Sequence, residues 1–478
     1  MSDKKKWVHI IGISGVTTSG VAKMFLDLGW KVTGSDKGFF PPVSTFLEKN
    51  NLEIAPGYKA ERLHDGEQIP DLVVAQGVKG NTNPEYVEAE KLGVRIINYP
   101  QVLSEYVIHP HNSIVVTGTY GKTTINSMLI KIFQQAEKEI SYMVGGFTTN
   151  FDQTVKAKQD NTEYSIVEGD EYLVSLEETT SKFFKYSAKY LIVNAVKWDH
   201  PDMFPTEEEY ILNFEKLVKD VPADGLIVAN ANDENTVRVT KLARCKVIYY
   251  SIDIEKAFVK PQWYLIKESK PLPTIVRDPE QNVAEIIPYE KQIIGDFNEE
   301  NILAASVLSY ELGIRKERIQ EAIADFKGIK RRLEKRYENE KAIIVDDFGS
   351  SPPKAIGTLN AIKDDFPDWK IIAIFEPNTG NRTQQSLELY DNAFEKADKL
   401  ILPRFTKLPS TDQERFNADD LATYLENKNV FVTYIPNDSE LVEYLTQEAK
   451  QDEKTIIVFM GSHSFRRMID KLVANLDE

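Results

Sequence analysis

Two kinds of hydrophobic spacing alternate along most of this chain. Short continuous apolar runs, such as WVHII, DLVVA and SIVVT, precede segments with an apolar residue at every third or fourth position, such as VAKMFLDLG and NEENILAASVLSYELG. The first pattern predicts strands buried on both faces, and the second predicts amphipathic helices. Strands that alternate with helices in this way are typical of α/β folds with largely parallel sheets.

Polar connections interrupt the pattern at two places and indicate where domains end. SEYVIHPHN precedes a new strand, and the basic and then polar segment FKGIKRRLEKRYENEK follows a predicted helix. A chain of 478 residues also exceeds the size that one hydrophobic core usually organises. We therefore predict three α/β domains, at residues 1–108, 109–330 and 331–478.

Charge and cysteine content narrow the classes of function. A net charge of -16 argues against nucleic acid or an anionic membrane as the main partner, although a local pocket can still bind a phosphorylated small molecule. The single cysteine, Cys245, excludes an intramolecular disulfide and a thiolate-rich metal site, and a small buried hydrophobe is a better interpretation than a catalytic nucleophile. Because no apolar run resembles a signal peptide or reaches membrane-spanning length, we expect a cytoplasmic protein.

The segment SIVVTGTYGKTTINSMLIKIF carries the strongest chemical signal. A predicted strand leads into Gly118, and Gly121-Lys122-Thr123-Thr124 opens a predicted helix. In a P-loop, backbone N–H groups and the helix N-terminus surround phosphate oxygens, the lysine reaches the outer phosphates and the next hydroxyl binds Mg²⁺. Val116 stands where the strict motif has glycine, so a glycine turn with a surface lysine is the alternative. The order of strand, loop, lysine, hydroxyl and helix favours a nucleoside triphosphate.

Acidic residues and a histidine follow the next two predicted strands. They are Glu168, Asp170 and Glu171 in YSIVEGDE, and Asp199, His200 and Asp202 after YLIVNAVKW. Because ligands of open parallel sheets bind beyond the carboxyl ends of strands, these residues should face the same crevice as the P-loop. Hard oxygen ligands suit Mg²⁺, whereas one histidine without cysteines is not typical of zinc. Each acid alone is better explained by a solvated loop, but their joint position favours a metal site.

Glycines also separate the first predicted strand from the first helix. Gly12, Gly15 and Gly20 lie there, and Asp36 ends the second strand. The arrangement resembles a dinucleotide-binding turn, but its spacing is not G-x-G-x-x-G. Purely structural turn glycines explain it equally well, and such a turn suits a nucleotide diphosphate as well as NAD.

Together, these segments resemble the Mur ligases, the ATP-dependent amide-forming enzymes of peptidoglycan assembly. The resemblance covers essentially the whole chain through the ordered motifs GISG with VTGSD, TGTYGKTT, VEGDE, WDHPD, GDFNEEN, GIKRRLE and DDFGSSP. It implies a Rossmann-like N-terminal domain that binds a UDP-sugar, a central P-loop ATPase domain with a mostly parallel sheet, and a Rossmann-like C-terminal domain that receives the amino substrate. It also implies ATP and Mg²⁺ as cofactors.

Within that family, the chain looks most like the two subtypes that act on UDP-N-acetylmuramate. One adds L-alanine, and the other attaches a recycled murein tripeptide. FFPPVSTFLE, SKFFKYSAKYLIVN, DHPDMFP, GIKRRLE and IFEP are more similar to the recycling subtype. Several other Mur ligases have a carbamylated lysine where this chain has Phe214, a difference that fits the muramate-type enzymes.

The resemblance assigns the central chemistry to a few residues. It implies that Lys122 contacts the ATP phosphates and that Thr123 binds one Mg²⁺. It places Glu168 and His200 around a second Mg²⁺ near the acyl group. Arg332 would reach the γ-phosphate from a domain junction, which completes the implied catalytic set of Lys122, Glu168, His200 and Arg332.

The remaining implied contacts surround the nucleotide and the sugar. Adenine would lie beside Asn298 and Asn301, and the ribose beside Asp346 or Asp347. The implied ATP-binding set is Gly118, Thr119, Gly121, Lys122, Thr123, Thr124, Asn298, Asn301, Arg332, Asp346 and Asp347. The implied UDP-sugar-binding set is Gly12, Ser14, Gly15 and Asp36.

Some positions depart from the family pattern. Tyr120 and Phe297 each replace a usual histidine, and Ser350-Ser351-Pro352 replaces the His-His-Pro of the muramate-type enzymes. Because a histidine there would help to orient the incoming amine, the serines indicate a changed acceptor or altered activity.

Basic residues near two loops have two interpretations each. FMGSHSFRRM differs from the usual glycine-rich ending, so His463, Arg466 and Arg467 either serve an acceptor carboxylate or begin a surface helix. Arg331 and Arg332 either form a solvated connector or contribute to catalysis, and the following Leu-Glu favours catalysis for Arg332.

The sequence therefore predicts an ATP-dependent carbon–nitrogen ligase that activates UDP-N-acetylmuramate as an acyl phosphate and joins it to a murein tripeptide. The alternatives are L-alanine as acceptor, or a nucleotide-sugar-binding homologue with altered catalysis; an NAD-dependent oxidoreductase fits the first domain alone. Expected partners are UDP-N-acetylmuramate and a peptide or amino acid, without nucleic acid or membrane insertion, and the chain is expected to be a monomer or homodimer. A hinge at residues 328–340 would close the C-terminal domain over the site.

Overall fold

Strands that alternate with helices form three sheets among the residues that the computed structural model describes. Those residues are 5–40, 42–77, 82–175, 178–198, 203–269, 272–278, 286–378, 381–406, 415–428 and 430–477. Central strands are continuous apolar runs because helices cover both faces of the sheets, as in Trp7–Ile11, where all five residues are buried. The prediction of a three-part α/β fold is confirmed.

The first sheet has five parallel strands in the order β3-β2-β1-β4-β5. The strands are β1 (Trp7–Ile11), β2 (Lys31–Asp36), β3 (Glu53–Pro56), β4 (Leu72–Ala75) and β5 (Arg95–Ile97). The helices are α1 (Val16–Asp27), α2 (Val43–Lys49), α3 (Pro84–Lys91) and α4 (Tyr99–Tyr106). This strand order is that of a Rossmann-like fold.

The second sheet has ten strands in the order β15-β14-β13-β12-β11-β10-β6-β9-β7-β8. The strands are β6 (Ser113–Thr117), β7 (Ile140–Met143), β8 (Val155–Lys156), β9 (Tyr164–Gly169), β10 (Tyr190–Val193), β11 (Leu226–Asn230), β12 (Lys246–Ser251), β13 (Trp263–Ile266), β14 (Thr274–Arg277) and β15 (Ile286–Pro288). The helices are α5 (Lys122–Gln135), α6 (Glu207–Asp220), α7 (Glu234–Thr240), α8 (Asp296–Glu311) and α9 (Lys316–Ala324). Pairing is parallel from β13 to β7 and antiparallel at both edges, so the sheet is mostly parallel, as predicted.

The third sheet has six strands in the order β16-β17-β21-β18-β19-β20. The strands are β16 (Glu334–Glu338), β17 (Ala342–Asp347), β18 (Lys370–Glu376), β19 (Lys399–Pro403), β20 (Val432–Ile435) and β21 (Thr455–Gly461). The helices are α10 (Pro352–Asp365), α11 (Ala418–Asn427), α12 (Asp438–Ala449) and α13 (Met468–Asp477). Only β16 pairs antiparallel among the described strands of this sheet. The predicted polar connector is therefore partly wrong, since it contains this edge strand.

The chain groups into two compact units. The first comprises residues 1–292 and 299–326, and the second comprises residues 293–298 and 327–478. In the first unit, apolar side chains of the first and second sheets share one continuous core, and in the second unit they cover both faces of the third sheet. Within the described parts of the chain, none of the helices is long and apolar enough to cross a membrane.

Candidate active site

The P-loop connects the carboxyl end of β6 to the first turn of α5. Gly118 and Gly121 adopt φ values of 131° and 82°, which glycine tolerates far better than other residues. A Cβ atom on Gly121 would lie 2.4 Å from Oδ1 of Asn301 and 2.7 Å from Nδ2 of Asn194. The loop therefore needs glycine for its conformation and for the close approach of two buried amides. The structure also brings Asn301, predicted at the adenine, against the P-loop.

Lys122 forms an ion pair that the sequence did not specify. Its Nζ atom lies 2.8 Å from Oε2 and 3.2 Å from Oε1 of Glu171, and it also donates to the Gly118 carbonyl at 2.7 Å. Glu171 is only 1% exposed. Of the three acids in the segment EGDE, this one is the counter-ion of the P-loop lysine, a role that the sequence of the segment alone does not reveal.

Thr123 contacts the predicted metal ligand Glu168. Its hydroxyl donates to Oε2 of Glu168 at 3.1 Å, and the Gly145 N–H donates to the other carboxylate oxygen. A hydroxyl beside a carboxylate is a set of hard oxygen donors that fits Mg²⁺. The described residues contain no group of three or more acidic, histidine or cysteine side chains arranged for a metal. Nucleotide oxygens and water would add further ligands to this pair, and the predicted role of His200 stays a prediction.

The loop after β10 is fastened to the P-loop through Thr119. The Thr119 hydroxyl donates to the Lys197 carbonyl at 2.7 Å, accepts from the Lys197 N–H at 2.8 Å and lies 3.1 Å from the Tyr210 hydroxyl. Strand β10 pairs with β6, which pairs with β9. The three strand ends are thus neighbours, as predicted. His200, Asp199 and Asp202 lie outside the described residues.

Two aromatic rings enclose the position that the resemblance compares with a carbamylated lysine. Phe214 is fully buried, with ring centroids of Phe183 and Tyr210 at 5.6 Å and 5.1 Å. A core aromatic occupies this position, so it provides no amine for a carbamate.

A polar network lies on the other side of the P-loop. The Tyr250 hydroxyl donates to Oδ1 of Asn194, whose Nδ2 donates to the Tyr120 carbonyl at 3.2 Å. Partial burial, with the nearby charges of Glu300 and Asp233, raises the pKa of the half-exposed Tyr120 to about 12. Burial, which disfavours the charged carboxylate, and then the nearby charge of Asp233 raise the pKa of Glu300 to about 7. Tyr120, the residue in place of the usual histidine, is therefore a neutral aromatic group.

In the second unit, Asp346 and Asp347, which were predicted to contact the ribose, are buried and interact with other side chains and backbone groups. Asp346 pairs with Arg331 and Arg336 at 3.4 Å and 3.5 Å, yet burial raises its pKa to about 6. Asp347 accepts from the Leu333 N–H at 2.8 Å and from the Thr358 hydroxyl at 2.7 Å. Both carboxylates therefore organise the beginning of this unit. Their predicted contact with ribose stays a prediction.

The adjacent arginines of GIKRRLE differ in their surroundings. Arg331 donates to the carbonyls of Gly461, Ser462 and His463 at 2.6 Å, 3.1 Å and 2.8 Å. Arg332 is exposed, and its guanidinium has no hydrogen bond or ion pair within the part of the chain that the structure describes. Arg331 is thus structural, whereas Arg332 is available to a ligand.

Ser350 and Asn378 join the loops that follow β17 and β18. The Ser350 carbonyl accepts from the Asn378 N–H at 2.9 Å, and its hydroxyl accepts from the Asn378 amide at 3.4 Å. Ser350 is fully buried. The position where the muramate-type pattern has a histidine therefore serves a loop–loop contact. Asn298, another predicted site residue of this unit, is buried and donates to the Ile294 carbonyl at 2.6 Å.

The glycine turn after β1 is closed by side chains of its own unit. Asp36 accepts from the Ser14 N–H at 2.9 Å, and the Thr18 hydroxyl accepts from the Gly15 N–H at 3.1 Å. Gly12 has φ 86°, and a Cβ there would lie 2.3 Å from the Gln76 carbonyl oxygen. Gln76 lines a cavity of about 380 Å³, whose other walls come from residues 75, 77, 86, 96–98 and 101 and from residues 172, 173, 175, 178 and 182 after β9.

Family models for three consecutive regions match this chain. Residues 7–110 match the Mur ligase family catalytic domain, residues 116–309 the Mur ligase middle domain and residues 331–463 the Mur ligase glutamate ligase domain. A UDP-N-acetylmuramate–L-alanine ligase of Caldanaerobacter subterraneus subsp. tengcongensis is 30% identical over 468 residues, 96% of each chain. The chain belongs to the Mur ligase family. Because Mur ligases are ATP-dependent acid–amino acid ligases, the protein is an ATP-dependent carbon–nitrogen ligase.

Relatives of both muramate-type specificities cover the chain. A UDP-N-acetylmuramate–L-alanyl-γ-D-glutamyl-meso-2,6-diaminoheptandioate ligase of Haemophilus influenzae is 27% identical over 481 residues, 98% of this chain and 99% of the relative. The crystal structure of a UDP-N-acetylmuramate–alanine ligase from Thermotoga maritima superposes with a TM-score of 0.75 over 99% of both chains, at 22% identity. That likeness shows the shared fold.

Proposed function

We propose that this Mur ligase joins the carboxylate of UDP-N-acetylmuramate to the amine of a murein tripeptide. The observation that carries the proposal is the contact between Thr123 and Glu168, 3.1 Å apart. It brings the hydroxyl that follows the P-loop lysine next to the acid of the neighbouring strand. Ligation through an acyl phosphate brings two anionic reactants, the triphosphate and a carboxylate, close together. A phosphate-binding loop beside a carboxylate that can hold Mg²⁺ would offset their repulsion.

The reaction needs ATP because a carboxylate is a poor acyl donor. Transfer of the γ-phosphoryl group to a muramate oxygen gives an acyl phosphate and ADP. The acceptor amine then attacks the acyl carbon, loses a proton and displaces phosphate as the amide forms. Lys122 and the P-loop N–H groups offset the negative charge in both steps, and Glu171 holds the lysine at the loop. Mg²⁺, held by Thr123 and Glu168, would screen the carboxylate from the triphosphate.

The cavity beside Gln76 supports a place for the nucleotide sugar in the first unit. Its walls include the loop after β4, the start of α4 and the loop that begins at Tyr172. Lys182 lines the same cavity and pairs with Asp170 at 2.6 Å, so the lining includes a cation. Because Gly12 packs against Gln76, the glycine turn borders one wall. This placement is consistent with the predicted UDP-sugar-binding residues.

Two observations support a peptide as acceptor. The segments FFPPVSTFLE, SKFFKYSAKYLIVN and IFEP resemble the recycling subtype, and a relative named for the tripeptide reaction aligns over 98% of this chain. L-Alanine is the second candidate, because the relative at 30% identity is named for that amino acid. The contact between Ser350 and Asn378 bears on both, since neither residue provides an imidazole for the amine.

Phosphate release from ATP distinguishes these acceptors. The purified protein is incubated with Mg²⁺, ATP and UDP-N-acetylmuramate, and with either L-alanine or L-Ala-γ-D-Glu-meso-diaminopimelate. We expect release with the tripeptide, together with an amide product of the corresponding mass. The variant Lys122→Ala is the control for contaminating ATPases, because it removes the P-loop ammonium.

Each other outcome replaces the proposal with a defined alternative. Release with L-alanine alone assigns the biosynthetic reaction. Silence with both acceptors, while ATP and UDP-N-acetylmuramate still bind, indicates a different acceptor or an altered homologue.

A further inference from the structure

We propose that Arg467 recognises a carboxylate of the amino acceptor at the carboxyl edge of the third sheet. The inference rests on the proposed ligase function and adds the residue that selects the acceptor. Residues 465–467 lie between β21 and α13 and end with this arginine.

The backbone of residues 465–467 is strained. Phe465, Arg466 and Arg467 have φ values of 47°, 51° and 66°, all in the left-handed region. Side chains other than glycine occupy this region at an energetic cost, so three consecutive non-glycine residues there are unusual. Glycine would relax the turn, yet two of its positions hold arginine. Such strain persists only where the surrounding structure enforces it, which is common at ligand sites.

Contacts on both sides enforce this turn. The Phe465 ring is 1% exposed and packs on Phe459 with centroids 5.2 Å apart. The Arg466 guanidinium donates to Asp438 at 2.9 Å and to Glu376 at 3.2 Å. Arg331 donates to the carbonyls of residues 461–463, which lie shortly before the turn. These contacts together hold residues 465–467 in the left-handed conformation.

Arg467 is the arginine of this turn that is exposed to solvent. Its side chain is exposed and forms no ion pair or hydrogen bond within the described ranges of the chain. In contrast, Arg382 and Arg466 are both bonded to Glu376, and Arg404 is bonded to Asp438. These three arginines thus stabilise the structure, whereas Arg467 is positioned without an internal partner.

The location and chemistry of Arg467 indicate what it binds. Strand β21 lies between β17 and β18 and is parallel to both, and ligands of such sheets bind beyond the carboxyl ends of the strands. A guanidinium presents a planar pair of donors that matches a carboxylate. An amino acceptor of a ligase, whether amino acid or peptide, carries at least one carboxylate. An ATP phosphate shares the anionic chemistry, so the experiment separates the two.

Steady-state ligation by the full chain tests the inference with Arg467→Ala, Arg467→Lys and Arg467→Gly. We expect the acceptor KM to rise about 10- to 100-fold in the alanine and glycine variants, the range for losing a charged hydrogen-bond partner. The ATP KM should stay unchanged, and lysine should recover part of the loss. With an acceptor whose carboxyl groups are amides, wild type and variants should have equal KM.

Stability separates recognition from a structural role. Glycine relieves the left-handed strain, so Arg467→Gly should melt at the same or a higher temperature than wild type while its acceptor KM rises. If Arg467 were needed only for folding, a rise in the acceptor KM would be accompanied by a lower melting temperature. Lys341→Ala is the control, because it removes an exposed cation from the opposite end of β17. It should leave both KM values unchanged.

The remaining outcomes overturn the inference. An unchanged acceptor KM in Arg467→Ala refutes it, and a raised ATP KM with an unchanged acceptor KM assigns Arg467 to the nucleotide. If the wild type releases no phosphate with any acceptor, the proposed function fails first and this inference fails with it.

Discussion

The ammonium of Lys122 lies 2.8 Å from a carboxylate oxygen of Glu171, a side chain that is almost completely buried. The Tyr210 hydroxyl also donates to this carboxylate at 3.4 Å, and the same hydroxyl contacts Thr119 of the P-loop. A buried acid thus holds the lysine at the mouth of the loop. The loop residues are oriented by one connected set of contacts, which reduces the reorganisation needed when phosphates bind.

Neutralising Glu171 should impair catalysis while the loop remains folded. In Glu171→Gln, the lysine loses its counter-ion and its fixed position, so we expect kcat for phosphate release to fall about tenfold. Glu163→Gln is the matched control, since Glu163 precedes β9 whereas Glu171 follows it, and Glu163 forms an exposed pair with Lys138. Faster turnover in Glu171→Gln would mean that the acid restrains the lysine instead of positioning it.

The hydroxyl of Thr123 should set the requirement for Mg²⁺. Removing one oxygen ligand in Thr123→Ala is expected to raise the half-activating Mg²⁺ concentration about tenfold, whereas Thr123→Ser should restore it. The measurement is phosphate release during a Mg²⁺ titration, with chelator as the zero point. Equal Mg²⁺ curves for the alanine and serine variants would exclude the hydroxyl as a ligand.

Gly121 and Gly313 have almost equal φ values but different surroundings, so substitutions at these two positions distinguish the effect of backbone strain from the effect of a steric clash. Gly121 has φ 82° and Gly313 has φ 84°, but nothing lies within 4 Å of a Cβ on Gly313. Gly313→Ala should therefore lower the free energy of unfolding by about 1–2 kcal/mol through strain alone and leave ATP binding unchanged. Gly121→Ala should add a clash with Asn301 and weaken ATP binding as well. Calorimetric ATP titrations of both variants decide this, and equal affinities would contradict it.

Buried parallel strands were predictable because their sequences are continuous apolar runs. The central strands β1, β6, β9, β10, β17, β18 and β21 all coincide with such runs. Strand β16, with the sequence EKRYE, was not recognisable, because an antiparallel edge strand with one exposed face carries charged residues. Strand β3 was missed because its four residues are partly exposed and include a proline.

The P-loop was predictable because its chemistry is local to seven residues, whereas the contacts that orient it come from distant segments. Nothing in EGDE distinguishes Glu171 from Asp170, which pairs with Lys182 instead. The order along the chain also cannot separate Arg331 from Arg332, since their difference arises from carbonyls about 130 residues away.

Asp346 should make stability depend on pH. Burial raises its pKa to about 6 in the folded protein, above the ordinary value of 3.8, so the folded state holds a proton that the unfolded state releases. Wild type should therefore lose stability relative to Asp346→Asn as pH rises from about 4 to 6, by at most about 3 kcal/mol. Urea unfolding of both proteins across this range measures the difference.

The control for Asp346 is an exposed acid with the opposite shift. Hydrogen bonding to Lys341 lowers the pKa of Asp452, so Asp452→Asn should differ from wild type in its pH dependence only below about pH 4. A flat difference between wild type and Asp346→Asn from pH 4 to 6 would show that Asp346 stays ionised in the folded protein. If Asp346 also meets the ribose, its asparagine variant should raise the ATP KM.

Substitutions of the adjacent residues Arg331 and Arg332 should have different effects, the first on stability and the second on catalysis. Arg331→Ala removes donors to three carbonyls and a partner of Asp346, so we expect it to lower the free energy of unfolding by about 2–3 kcal/mol. Arg332→Ala changes an exposed side chain and should alter stability by less than about 0.5 kcal/mol. If Arg332 meets the γ-phosphate, the same variant should slow phosphate release about 100-fold. Denaturant unfolding and kinetics on both variants test this, and normal turnover of Arg332→Ala would identify GIKRRLE as a solvated connector.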